Sequence, residues 1–240
     1  MTDRSTTVDA GLVYEQIRGA FRSAIMGLGP DQLHATVAAT PEWTVLHVLA
    51  HVTGLTTDLN AQHFPAPDDL GGVAWTQQQI ADRVEQTAAE IIEEWNIEGP
   101  AFATGLTLFG YEFGSHFVAD LFTHYQDVRG AIGLPPESNA LWIAVSLDHY
   151  STFIDEILTA SGWGMLELVA DDETRSLGPA NAAHARLHTT PFEALRAFSA
   201  RRSATQLRSL DWHGDVGGVL NALQAGFEGG YALPTTDVHD

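Results

Sequence analysis

FGSHFVADLFTHYQDVRGAIG, Phe113 to Gly133, is the stretch on which the reading of this chain turns. Leu106, Phe113, Phe117, Leu121, Val128 and Ala131 recur at spacings of three, four and seven, the signature of one apolar helix face. At about 100° per residue, His124 falls at the centre of that stripe, and Asp120 and Asp127 fall on its shoulder. A carboxylate and an imidazole one turn apart on a buried face need partners, because an unpaired buried charge is costly. A metal ion is one such partner. A His–Asp pair that only steadies a helical bundle is the other reading, and the spacing alone does not choose.

Working outward, Asp9 to Leu28 reads as a first helix, stopped by Gly29-Pro30. Thr44 is a good N-cap for a second, whose apolar face is Val45, Val48, Leu49, Val52, Leu55 and Leu59. His51 flanks that face, and His47 points further towards solvent. Thr76 with Gln79 fits a capping box for a third helix, with Ile80, Val84, Ala88, Ile91 and Trp95 inward and Gly99-Pro100 as its end. The fourth helix is expected from Thr104 to Ile132, and a fifth from Ser138 to Ser161. Gly162-Trp163-Gly164 breaks the pattern. Beyond it, Met165–Ala170 alternates like a strand and Ala183–Thr189 offers another. Asp171–Glu173 and Trp212–Asp215 read as turns, among short helices over 191–199, 202–210 and 219–227. The expected fold is mainly α: a four-helix bundle with an extra helix over residues 1–162, then a smaller α+β domain over 163–240.

Composition narrows the function. The chain has 240 residues and a formal charge of −20, from 31 acidic and 11 basic residues, which argues against nucleic acid and anionic membranes as partners. Every basic residue is arginine, so lysine Schiff-base chemistry is excluded. There is no cysteine, hence no disulfide and no thiolate ligand of its own. No signal-peptide pattern opens the sequence, and a cytoplasmic location is the expectation. Apolar residues on the fifth helix suit either a homodimer contact or packing under the second domain, so monomer and homodimer both stand. No G-x-S-x-G elbow and no phosphate-cradling glycine loop is present.

Asp120 and His124 can reach one ion from the same helix, and His51 is the candidate third ligand. Two nitrogens and one carboxylate oxygen with an open fourth position is the layout of a catalytic zinc site, and it also suits nickel or iron. A structural site would be closed by a further ligand such as His47 or Asp127. Asp127 otherwise reads as a carboxylate supporting His124 or as a partner of Arg129. Glu112 and His116 drift off the stripe to the solvent side. Six of the 11 arginines lie between Arg175 and Arg208. Among them Arg201 and Arg202 suggest an anion-binding surface, or else ion pairs with acids such as Glu193 and Asp211.

Two segments add a family likeness. Pro41-Glu42-Trp43-Thr44-Val45 through Ala50-His51, and Asp120-x3-His124-x2-Asp127-Val128-Arg129 followed by Ala131-Ile132-Gly133-Leu134-Pro135, resemble the DinB-like superfamily. Within it they are closest to the mycothiol-dependent maleylpyruvate isomerase branch of actinobacteria, and Phe192 to Trp212 resembles that family's tail. The resemblance implies an N-terminal four-helix metal-binding bundle and a small C-terminal domain. It also implies His51, Asp120 and His124 as ligands, and an arginine of the second domain in the site. In the isomerase the middle ligand is a glutamate; here it is Asp120, one methylene shorter. The implied activity is a metal- and thiol-dependent isomerase or transferase acting on a small electrophile, with mycothiol as the small-molecule thiol. The alternative is a metal-binding stress-response or ligand-binding module without catalysis.

Overall fold

The computed structural model describes residues 4–69, 72–180, 184–227 and 233–240. The chain divides into two compact units, Arg4–Glu137 with His239–Asp240, and Ser138–Val238. The first contains, in order, α1 (Ala10–Ile25), α2 (Pro30–Leu33), β1 (Thr36–Val37), β2 (Thr40–Thr44), α3 (Val45–Asn60), α4 (Val73–Ala81), α5 (Ala88–Phe109) and α6 (Tyr111–Ala131). Helices α1, α3, α5 and α6 pack on one another as the bundle, and α4 lies against α3. Its core is Tyr14, Ile17, Phe21, Val48, Leu49, Ile91, Trp95, Leu106, Leu121, Phe122 and Val128, all closed to solvent. Asp9, expected as the first helical residue, is instead the N-cap of α1, and Thr44 caps α3 as expected.

The helix boundaries between residues 72 and 113 differ from expectation. Two helices stand where one was expected. Thr76 is not an N-cap: α4 already begins after Gly72, whose φ of +66° favours glycine. The working capping box lies at Thr87 and Glu90, which bond each other's backbone N–H groups and start α5. Val84 falls between the two helices and is exposed. Gly99-Pro100 does not stop α5, which runs on to Phe109. Gly99 is small because Arg18 packs there, with its Nε 2.6 Å from where a Cβ would lie. Proline inside a helix costs about 3 kcal/mol, which burial of Phe102, Ala103 and Leu106 beyond it offsets. The break comes instead at Gly110 (φ +88°), so Leu106 and His124 are on different helices. Phe113, expected on the buried stripe, is 45% exposed.

The second unit contains α7 (Ala140–Ser161), β3 (Met165–Ala170), β4 (Glu173–Leu177), β5 (His184–Thr189), α8 (Pro191–Phe198), α9 (Ala204–Ser209), β6 (Asp211–Gly214) and α10 (Val216–Phe227). Its sheet runs β4-β3-β5-β6, with β3 and β5 parallel and the outer pairs antiparallel. Leu166, Leu168, Ala185 and Leu187 alternate onto the buried face. The expected turn after β3 is there at Asp171 and Asp172, with Asp171 at a positive φ of 50° and Glu173 already in β4, whereas strand β6 replaces the turn expected over Trp212–Asp215. Ala183, expected to begin a strand, lies outside the described residues; β5 begins at His184.

The compact units part after Glu137, where the sequence suggested a boundary near residue 162. Arg175 explains why α7 joins the sheet. From β4 it donates to Leu147 O and Ser151 Oγ and sits 2.8 Å from Asp148, all on α7. Asp155 of the same helix accepts from Gly178 N at 2.6 Å. The extra helix therefore belongs with the α+β unit. No described helix is long and apolar enough to cross a membrane.

Tyr14 provides a stability test of the bundle. Thr56 Oγ1 spends its proton on Val52 O, so the Tyr14 hydroxyl donates to Thr56 at 2.8 Å and accepts from Trp95 Nε1 at 3.3 Å. Burial, with a smaller contribution from the Asp120 charge, pushes the Tyr14 hydroxyl from 10.0 to about 12. A raised folded value means stability that is complete below pH 10 and lost as pH rises towards 12, since the unfolded chain ionises first. The advantage of wild type over Tyr14→Phe should therefore shrink by roughly 2–3 kcal/mol across that window. Denaturant titration of the metal-free proteins between pH 9 and 12 checks this, and a constant difference contradicts it.

Candidate metal centre

Two helices of the first unit bring the site together. His51 projects from the second turn of α3, and Asp120 and His124 come from one face of α6. Donor atoms of the three side chains all lie within 4.8 Å of one another. The His51 and His124 rings meet edge to face with centroids 5.0 Å apart. Both histidines are 5% exposed, whereas the Asp120 side chain is 30% exposed, so the centre has one wetter side.

His51 is oriented from behind by a hydrogen bond, and His124 lies between two carboxylates. His124 Nε2 lies 3.6 Å from Asp120 Oδ1, and its Nδ1 lies 3.6 Å from Oδ2 of the fully buried Asp127 side chain. His51 Nδ1 is 2.9 Å from Gln79 Oε1, which leaves Nε2 for a ligand role. A ligating histidine commonly has its other nitrogen held by an oxygen in this way. The donor set, two imidazoles and a carboxylate, with the outer nitrogen of His51 held by Gln79, fits a divalent transition ion. Trp43 closes one side, stacked on His124 at 5.9 Å and tilted over His51 at 5.3 Å. It is held there by β2, which pairs antiparallel with β1 and runs directly into the Thr44 cap of α3.

The other sequence candidates separate cleanly. His47 completes the α3 capping box, its Nδ1 accepting from Thr44 N at 3.3 Å, so it serves the helix end. Glu112 and His116 are exposed, as expected. Arg129 does not pair with Asp127, which lies two residues and therefore about 200° away on the helix. It donates to Pro135 O at 2.8 Å and to Tyr125 OH at 2.7 Å, pinning the chain that leaves α6. Arg201 and Arg202 belong to the second unit and are buried. Arg202 grips Glu193 with Nε and Nη2 at 2.6 and 2.8 Å, and Arg201 Nη1 donates to Ser199 O. Sequence reasoning missed the role of Gln79, taken there for a capping residue. The signal it offered was position, an uncharged polar side chain directly before the apolar Ile80.

Residues 14–110 match the family model of the mycothiol maleylpyruvate isomerase N-terminal domain. The matched span includes His51 and Gln79 and ends before Asp120. Two crystal structures of mycothiol-dependent maleylpyruvate isomerase, one of them a point mutant, share the fold over a longer stretch. The mutant aligns at 13% identity with a TM-score of 0.54, and the other at 14% with 0.53. Each alignment covers 82% of this chain and 92% of the isomerase chain. No curated protein sequence matches this one.

The purified protein should bind about one divalent transition ion per chain, and His51→Ala or His124→Ala should each abolish that binding. Elemental analysis with equilibrium dialysis measures it; unchanged stoichiometry in both variants contradicts the assignment.

Proposed function

We propose that His51, Asp120 and His124 hold one divalent transition metal, zinc first among the candidates. We further propose that the protein is a thiol-dependent isomerase or transferase acting on a small electrophilic substrate, with mycothiol as the thiol. The observation that carries this reading is the three-donor cluster with both potential closing residues engaged elsewhere. His47 is committed to the helix cap, and Asp127 lies on the far nitrogen of His124. Among the described residues no fourth His, Cys, Asp or Glu joins the cluster. Such a centre supplies, when loaded, an open position at which a thiol is acidified and held for attack.

The chain's own residues do the rest. It has no cysteine, so the attacking thiolate must come from a bound small molecule. Asp120, on the wetter side of the centre, is the ligand nearest to entering solvent and reactants. Trp43 covers the imidazoles and excludes water from their faces, which strengthens the electrostatics within. The Asp127 carboxylate, 3.6 Å from His124 Nδ1, favours a proton on that nitrogen and so directs Nε2 towards the ion. An anion-holding role for Arg201 or Arg202 is part of the proposal, with Arg202 the weaker choice because it already holds Glu193. The reading places the protein in the cytoplasm of a mycothiol-making cell.

The test is turnover of a panel of small electrophiles, maleylpyruvate included, by metal-loaded protein with and without mycothiol. Turnover is expected only with both metal and thiol present, and chelation should return it to background. A metal-loaded protein that turns over nothing with the thiol added would point to a metal-binding module without catalysis.

A further inference from the structure

The hydrogen-bond chain behind His51 runs one step beyond the metal centre. Gln79 is 1% exposed, and its two amide ends meet different partners. Oε1 lies 2.9 Å from His51 Nδ1, and Nε2 donates to Asp58 Oδ2 at 3.1 Å. His51, Gly54 and Asp58 stand at i, i+3 and i+7, on one face of α3. Gly54 lets α4 approach that face: a Cβ there would sit 2.6 Å from Gln79 Cβ. Arg83, just after α4, holds Gln79 in place, donating to its carbonyl at 2.9 Å while gripping Glu94 of α5.

We propose that Asp58 acts through Gln79 to fix the tautomer of His51, and so decides that Nε2 rather than Nδ1 is the nitrogen presented to the ion. The argument is one of donors and acceptors. A carboxylate only accepts hydrogen bonds. Asp58 therefore selects the NH2 end of the Gln79 amide, and the amide oxygen must face His51. An oxygen facing Nδ1 requires a proton there. A neutral imidazole has one proton, so Nε2 is left with its lone pair. The reversed amide would set two acceptors against each other at Asp58 and protonate Nε2, blocking it as a ligand. Asp58 is thus a positioning residue, acting at two removes. At His124 a carboxylate, that of Asp127, lies beside Nδ1 itself at 3.6 Å, with no amide between them. Relay through an amide passes on the polarity of Asp58 while keeping its charge one side chain further from Asp120, which limits the negative charge gathered round the ion.

This inference rests on the metal-site reading for its purpose, but the tautomer is measurable without metal. The experiment is nitrogen-15 NMR of the histidine side chains in metal-free protein at one neutral pH, with the His51 signals assigned by their loss in His51→Ala. Zinc affinity is measured in parallel by competition with a chelator. Wild type should show His51 with its proton on Nδ1. In Asp58→Asn the new amide can donate, the relay can reverse, and the Nε2–H form should appear with zinc affinity lower by about 10- to 100-fold. The swapped pair, Asp58→Asn with Gln79→Glu, gives a carboxylate that accepts from both neighbours. It should restore the Nδ1–H form and most of the affinity, a rescue that simple packing would not produce.

The proposal is overturned if wild-type His51 carries its proton on Nε2, if Asp58→Asn changes neither tautomer nor affinity, or if the swapped pair is no better than the single variant. Tautomers that follow this pattern in a protein with no zinc affinity would support the relay and contradict the metal reading instead.

Discussion

Two imidazoles held almost dry beside two carboxylates form the constraint on which the first unit depends. Removing such groups from water is costly unless each polar atom finds a partner. The bundle meets that demand by dividing the work among helices. His51 on α3 is bonded by Gln79 on α4, and His124 on α6 lies between the Asp120 and Asp127 carboxylates, each 3.6 Å from one of its nitrogens. Asp120 keeps part of its surface wet. The three side chains of the candidate metal centre keep donor atoms within 4.8 Å of one another.

Tight packing keeps those donors in place. The capping box of Thr44 with His47 fixes the start of α3 about two turns before His51, so the imidazole inherits the precision of the helix end. The same Thr44 ends β2, so Trp43 is locked against both histidines by the strand pairing that precedes the cap. On the opposite side, Gly54 admits α4, and the Arg83–Glu94 pair ties the end of that helix to α5. One threonine and one glycine thus link the fold to the site.

The parts of this arrangement that were legible in the sequence are those governed by helical periodicity. Asp120 and His124 announce themselves because i and i+4 share a face, and His51 because it flanks an apolar stripe behind an evident N-cap. The mainly α character, the first helix and strand β3 were readable for the same reason. Local punctuation misled where tertiary packing overrode it. Gly99-Pro100 looks like a stop, yet the glycine is there to admit Arg18. Thr76 and Gln79 satisfy the capping-box pattern, yet Gln79 is turned into the interior. Strand β2 contains Pro41 and is only five residues long, too short and too polar to stand out from a loop. The attachment of α7 to the second unit depends on Arg175 reaching across from β4. A buried arginine bonded to a distant helix leaves no local pattern.

The likeness to the isomerases rests on a domain match that ends before α6 and on a shared fold at low identity. The central claim is therefore best tested on the coordination chemistry itself. Zinc X-ray absorption spectroscopy can be recorded on the loaded protein before and after mycothiol is added. The account predicts a first shell of nitrogen and oxygen donors alone, two of them imidazole, because the chain has no cysteine. One sulfur scatterer at about 2.3 Å should appear on adding the thiol. A shell that lacks imidazole, or one that mycothiol leaves unchanged, would contradict it.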